Sequence, residues 1–365
     1  MIMHVITNFT GKEGAQTMLA RLLSVSGDER ICVVSLMDIS QRNLDLANNP
    51  NVVYAKLGVS STFGMMVSAV KLARIIRTEK PTAVVCWMYH AMIVGLLAQR
   101  WARMKIPVIW NVRQSLDDPK SFSRSTRLTV TLCRLLSAMP SGIIYNSARA
   151  LAMHRQHGYK NNNSLVIPNG FDVPSDVVFN TKTPLIFGIA GRLHPQKDHD
   201  TFFRAAALVL KKHPETRFKA VGLGLSADNA VLAEMLSVAG LPTSSIELCG
   251  EYTDMSLFYR NIDVLVLSSR TEGFPNVVAE AMSYGKPVVT TDVGDAAVIV
   301  GDTGYIVAPR NPDALAMAIE RMIGLKPKTY AEMAKRARAK IVEEFELRAI
   351  DRKYRNFVEA RVNSR

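Results

Sequence analysis

The sequence predicts an α/β chain made of two Rossmann-like, doubly wound parallel-sheet domains, and three observations predict it. Short β-branched runs alternate with amphipathic stretches along nearly the whole chain, each half holds its own set of such runs, and a polar, proline-punctuated stretch parts the halves. With 365 residues, 48% of them hydrophobic, each half is large enough to bury a core of its own.

In the first half the strand-like runs are 4–9, 31–37, 52–57, 83–88, 107–112 and 142–146. The second half repeats the rhythm with 185–190, 218–222, 246–249, 263–268, 288–291 and 305–307. Between them, Asn169-Gly170-Phe171-Asp172-Val173-Pro174 and Thr181-Lys182-Thr183-Pro184 read as an exposed linker. The expected division is therefore 1–182, 183–345, and a terminal helical region 346–365 that packs back on the first domain. A helical pattern over 313–323 and a Lys/Arg-rich helical stretch over 326–365 close the chain.

Composition narrows the function classes. The four cysteines, Cys32, Cys86, Cys133 and Cys249, are far apart and in no Cys/His cluster, so neither zinc nor a disulfide framework is expected and a reducing cytosol fits. The N-terminus runs straight into a strand with no basic region or cleavage site, which predicts no secretion signal. The apolar stretch 83–98 is too short for a membrane span and reads as a strand entering a helix. The net charge is +13, with 20 Lys+Arg against 10 Asp+Glu in residues 1–180 and 25 against 22 in the remainder. Such a basic half attracts nucleic acid, anionic lipid or phosphorylated substrates, or is simply a solvated basic surface. No nucleic-acid recognition module is present, so nucleic acid is not an expected partner.

Chemistry is sought at strand ends, because parallel sheets bind ligands at their carboxyl edge, where helix N-termini offer N–H groups to anions. The first strand leads into Thr10-Gly11-Lys12-Glu13-Gly14, where two glycines allow close backbone approach to a ligand or merely serve a tight turn. In the second half, Gly191-Arg192 and Lys197 place two cations within reach of a phosphate at a strand end. The most specific element is Thr271-Glu272-Gly273-Phe274-Pro275-Asn276-Val277-Val278-Ala279-Glu280. Here Glu272 lies in a Gly/Pro loop, Glu280 lies within the helix that the loop opens, and the N–H groups near Asn276 begin that helix. Two glutamates at a helix start also occur as helix-favouring surface residues.

Together these residues resemble the retaining GT-B glycosyltransferases of family 4, which carry a glycine-Arg-x(4)-Lys motif and then a Glu-x(7)-Glu motif, and the resemblance covers nearly the whole chain. It includes Asn146-Ser147, 166–170, Gly222-Leu223-Gly224 and 287–294; the stretches 110–116 and 194–199 look most like members serving bacterial surface polysaccharides. The resemblance implies two domains facing each other across a cleft. It also implies that Arg192 and Lys197 neutralise the donor diphosphate, Glu272 contacts donor-sugar hydroxyls and Glu280 holds the ribose. Gly11, Gly14, Gly191, Gly222, Gly250, Gly273, Phe274, Asn276 and Val277 are then further donor contacts, and His90 lies beside the donor sugar at the reacting centre. As a lone histidine in an apolar run, His90 also reads as a satisfied core residue. Lys12, Asn111 and Arg113 are expected on the acceptor.

One departure is Gly294-Asp295 in place of the family's glycine pair, which brings an extra negative charge near the phosphate end. The expected activity is hexosyl transfer from a nucleotide-sugar, a UDP-sugar by preference, to a saccharide or undecaprenyl-diphosphate-linked acceptor, without metal or cofactor. A sugar-nucleotide epimerase and a silent nucleotide- or polysaccharide-binding protein are the rival readings. Arg124, Arg127 and Arg134 are expected on a helix facing an anionic membrane surface, with the neighbouring Leu128, Leu132 and Leu135 read first as packing on the sheet and alternatively as shallow insertion into that surface. The protein is thus expected in the cytoplasm, peripheral to the inner membrane face.

Overall fold

A computed structural model describes residues 1–11, 14–59, 62–116 and 122–364, and the chain forms two compact units, Met1–Gly170 with Leu347–Arg365, and Phe171–Glu346. In the first unit the strands are β1 (Ile2–Ile6), β2 (Ile31–Ser35), β3 (Val52–Lys56), β4 (Ala83–Trp87), β5 (Val108–Val112), β6 (Gly142–Tyr145) and β7 (Ser164–Val166). All pair in parallel, in the order β3-β2-β1-β4-β5-β6-β7. The interior strands β2, β4 and β5 are buried at every residue, which is why they read as mostly apolar runs, broken only by Ser35 and Asn111, rather than as alternating ones.

Helices α1 (Gly14–Val25), α2 (Gln41–Ala47), α3 (Thr62–Glu79), α4 (Tyr89–Ala102), α5 (Arg124–Leu136) and α6 (Ala148–Gln156) connect these strands. Serine side chains cap three of them: Ser40, Ser123 and Ser147 accept from the backbone N–H of Asn43, Thr126 and Ala150. Apolar residues of α3, α4, α5 and α6 share one core with one sheet face, as Leu72, Leu96, Cys133 and Ala150 show. Met18 and Leu23 of α1 belong to the core on the other face.

The second unit repeats the plan. Its strands are β8 (Ile186–Ala190), β9 (Arg217–Val221), β10 (Ile246–Leu248), β11 (Val264–Leu267), β12 (Val288–Thr291) and β13 (Gly304–Val307), parallel in the order β10-β9-β8-β11-β12-β13. Its helices are α7 (His199–Leu210), α8 (Ala230–Ala239), α9 (Ser256–Arg260), α10 (Asn276–Ser283), α11 (Ala296–Val300), α12 (Pro312–Ile323) and α13 (Pro327–Glu344). Helix α12 shows how local sequence sets a start: the Asn311 side chain accepts from Ala314 N–H at 2.9 Å, and Pro312 occupies a first-turn position that has no intrahelical use for an N–H. The last helix, α14 (Leu347–Asn363), belongs to the first unit, where Leu347, Ile350, Tyr354 and Phe357 join the core containing α1.

Three features differ from the sequence expectation. Residues 171–182 lie with the second unit, because Phe171 donates its N–H to the Phe345 carbonyl, stacks on Phe274, and Asn180 donates to Asp263 at 2.8 Å. Strand β7 is additional; three residues at a sheet edge carry too little pattern to announce a strand. Leu128, Leu132 and Leu135 do not pack on the sheet: all three are exposed, since Cys133 is the side chain α5 buries in the core.

Candidate functional site

In each sheet the chain leaves the first strand in one direction, then returns to its other side. The order therefore reverses between β1 and β4, and between β8 and β11. At such a switch point the loops at the strands' carboxyl ends diverge and leave a crevice for a ligand. In the second domain those two loops are 191–198, after β8, and 268–275, after β11, which are the two segments the sequence motifs single out.

The loops are laced together. Arg270 N–H donates to the Gln196 carbonyl at 2.8 Å, Gln196 Nε2 to the Thr271 carbonyl at 2.8 Å, and Ser268 Oγ to the Lys197 carbonyl at 2.9 Å. On this frame Lys197 Nζ meets Glu272 Oε1 at 2.6 Å, and the same oxygen accepts from Ser269 Oγ at 2.7 Å. Glu272 is buried, whereas Lys197 retains partial access to water and Arg192 is exposed. The lysine stem lies against Gly191, whose missing Cβ would sit 3.4 Å from three of its carbons.

Gly222, at the end of β9, adopts φ +148, and a Cβ there would stand 2.3 Å from the Gly191 carbonyl oxygen. Its N–H donates to the Gly250 carbonyl at 2.7 Å. Gly294 has φ +54, and a Cβ would stand 2.5 Å from the Gly273 oxygen and 2.7 Å from the Glu272 oxygen. Glycine is thus required on both sides of the loop pair, because backbone occupies the space a side chain would take. Asp295, next along the chain, is buried at the start of α11.

Helix α10 begins at Asn276 behind Pro275, so its first N–H groups, including that of Val277, point toward the loop end of the helix. Glu280, one helical turn on, accepts from the buried Tyr259 hydroxyl at 2.8 Å. Phe274 anchors the loop by stacking on Phe171 and meeting Phe345 edge-on.

In the first domain Gly11 follows β1, Gly14 opens α1, and His90 lies in the first turn of α4 after β4. The two strand ends are tied by Ala91 N–H donating to Thr7 Oγ1 at 3.3 Å. His90 is half-buried, and burial lowers its pKa below the ordinary histidine value. Lys12 lies outside the described residues. Asn111 and Arg113, expected on the acceptor, are buried and hydrogen-bonded within the first unit. Both donate to the Tyr354 hydroxyl on α14, at 3.2 and 2.8 Å, while Arg113 also donates to Asn169 and lies 5.4 Å from the Trp87 ring. Their observed work is to fasten α14 to the sheet.

Several neighbours have no role in the sequence reading, although two of them lie within the stretch 194–199. Asp198, at φ +51, binds Arg270 at 2.7 Å and Thr201 at 2.8 Å; burial raises its pKa, but these partners outweigh it and hold the carboxyl below its usual range. His199 is buried against the Gly191 backbone without a well-formed hydrogen bond to either ring nitrogen among the described residues, and burial lowers its pKa to about 4. Ser269 is visible in sequence only as a small hydroxyl residue after a buried strand. Among the described residues no group of three or more His, Cys, Asp or Glu could hold a metal ion.

Comparison with known proteins agrees with this architecture. Residues 18–174 match the model "Glycosyltransferase Family 4" and residues 184–324 match "Glycosyl transferases group 1". An uncharacterized glycosyltransferase of Haemophilus influenzae is 26% identical over 64% of this chain and 69% of its own length. The lipopolysaccharide core biosynthesis mannosyltransferase LpcC of Rhizobium leguminosarum is 29% identical over 63% of this chain and 64% of its own. The crystal structure of Anabaena Alr3699/HepE in complex with UDP superposes with a TM-score of 0.81 at 23% identity, covering 98% of this chain and 99% of that one. With a glycosyltransferase model on each domain, family 4 on the first and group 1 on the second, and the GT-B fold shared end to end, the chain belongs to the GT-B glycosyltransferases.

Proposed function

We propose that this glycosyltransferase moves a sugar from a UDP-sugar, with retention at the anomeric carbon and without a metal, to a saccharide or lipid-linked acceptor in bacterial surface-polysaccharide assembly. The observation that carries the reading is the Lys197–Glu272 pair held at the switch point of the second domain. A diphosphate entering there offers Lys197 a dianionic partner in place of one carboxylate oxygen, and frees Glu272 to accept from sugar hydroxyls. Arg192 and the N–H groups opening α10 add positive potential to the same region.

As the bond from the anomeric carbon to the β-phosphate oxygen breaks, charge grows on that oxygen, and fixed cations stabilise it most there. The acceptor oxygen bonds to the same face of the sugar, and its proton passes to the departing phosphate oxygen. Glu280, already an acceptor for Tyr259, is suited to the ribose hydroxyls. The first domain contributes His90, which burial keeps neutral at pH 7 and so fit to hydrogen-bond a sugar hydroxyl rather than to carry charge. The UDP in the Anabaena neighbour and the lipopolysaccharide role of the Rhizobium relative support the choice of donor and acceptor class.

The test is a thermal-shift screen of UDP, GDP and their sugars, followed by transfer onto saccharide and lipid-linked acceptors with NMR of the product's anomeric configuration. A uridine nucleotide at a hundred times its Kd should stabilise the fold by about 2.7 kcal/mol. Stabilisation by no nucleotide, or an inverted product, would overturn the reading.

A further inference from the structure

Charge is not spread evenly along this chain. Residues 1–61 hold 5 Lys+Arg and 5 Asp+Glu, residues 62–170 hold 15 against 3, and residues 171–365 hold 25 against 24. Nearly all of the net +13 therefore belongs to the stretch that builds α3, α4, α5 and α6, the helices covering one face of the first sheet.

The outer side of that layer is apolar as well as basic. Helix α5 has no acidic residue, and Leu128 and Leu135 are 63% and 67% exposed. Arg124, Arg127, Leu128, Thr131, Arg134 and Leu135 recur at three- and four-residue spacing on the side away from Cys133. Helix α4 packs against both α3 and α5. At its end Arg100, Trp101 and Arg103 are exposed, as are Val70, Lys71 and Arg74 on α3. Arginines interleaved with exposed leucines on one helical face are the pattern of a helix lying in a lipid interface, where cations meet headgroup phosphates and leucines reach the acyl boundary.

We propose that this face of the first domain docks on an anionic lipid bilayer, with α5 lying in the headgroup plane. Among the described residues no helix is long and apolar enough to cross a membrane, so the contact is with one leaflet's surface. The composition selects this partner over others. A second copy meeting the same face about a two-fold axis would set arginine against arginine. A nucleic-acid backbone would reward the arginines but leave the leucines in water. Helix α5 starts at the carboxyl edge of the sheet, as α4 with His90 does, so docking brings a lipid surface toward the edge where the chemistry is placed. Only that last consequence, presentation of a lipid-linked acceptor, rests on the function proposed above.

The experiment is co-sedimentation with vesicles of phosphatidylcholine alone or mixed with phosphatidylglycerol, at low and high salt. Wild type is compared with Arg124→Gln/Arg127→Gln/Arg134→Gln and with Leu128→Gln/Leu135→Gln. Each arginine near an anionic surface is worth about fivefold in partition, so the triple variant should bind anionic vesicles about a hundredfold more weakly. Wild-type binding should weaken at high salt, and the leucine variant should lose the part that salt does not remove. Nucleotide affinity by calorimetry should match wild type in both variants, so a failure of the transferase reading is seen separately. Equal partition onto neutral and anionic vesicles, no loss in the triple variant, or binding to RNA without binding to vesicles would overturn the proposal. So would a wild-type dimer, dissolved by the leucine changes, that ignores vesicles.

Discussion

Replacing Lys197 by methionine should cost more stability than replacing its partner, and the structure indicates why. Glu272 keeps 9% of its side-chain surface, and one of its oxygens receives both Lys197, at 2.6 Å, and Ser269, at 2.7 Å. Lys197 keeps 22% of its own surface. Losing one member of a fully buried pair costs about 3–5 kcal/mol. The lysine's partial exposure lets water substitute for part of this, so Lys197→Met should cost about 2 kcal/mol. Glu272→Gln leaves a cation that water reaches and an amide that Ser269 still bonds, and should cost about 1 kcal/mol. The double variant leaves neither charge orphaned and should cost about 1.5 kcal/mol, a coupling of about 1.5 kcal/mol between the two sites. The assay is thermal unfolding followed by circular dichroism on all four proteins. A loss of 2 kcal/mol appears as a Tm lower by about 4–8 °C for a domain of this size. Single losses that add in the double variant to within about 0.5 kcal/mol would refute the ion pair as the organiser of the loops.

Glycine at 222 is a matter of space: Gly222→Ala should cost above about 2 kcal/mol and weaken nucleotide binding, whereas Gly240→Ala, at φ +70 with nothing within 4 Å of the new Cβ, should cost about 1 kcal/mol in chemical denaturation. Acid should weaken the second domain through His199. Its folded pKa of about 4 lies below the ordinary histidine value of 6.5, so unfolding takes up a proton, and stability present above pH 6.5 is lost as pH falls toward 4. The difference between pH 7 and pH 5 should be about 2 kcal/mol and should vanish in His199→Phe. Tyr354→Phe strips the hydroxyl that Asn111 and Arg113 share and should destabilise the first domain by about 2 kcal/mol, with nucleotide affinity unchanged. Trp87 stacks on Tyr354, so tryptophan emission reads this transition directly.

The parallel sheets were legible because strands buried on both faces run largely apolar, as β4 and β11 do throughout, β2 and β5 over most of their length and β12 over its first half. The loops that carry chemistry were legible because a switch point puts them at strand ends, where glycines, cations and carboxylates stand out. Their mutual geometry was not legible. Lys197 and Glu272 lie 75 residues apart in sequence, and nothing local says that β8 and β11 are neighbours that bring them to 2.6 Å. The same limit explains Asn111 and Arg113, whose partner Tyr354 is more than two hundred positions away. On α5, leucine spacing alone suits a core face or an interface equally, and only the burial of Cys133 identifies the inner side.

The central claim is that the cations after β8 stabilise charge developing on a departing nucleoside diphosphate. Its most direct test is the rate of sugar transfer by Arg192→Ala at saturating donor, with a calorimetric titration of UDP into the same variant. Loss of one preorganised charge partner should lower kcat by about a hundredfold to a thousandfold and weaken UDP binding as well. A variant that turns over and binds UDP as the wild type does would contradict the account.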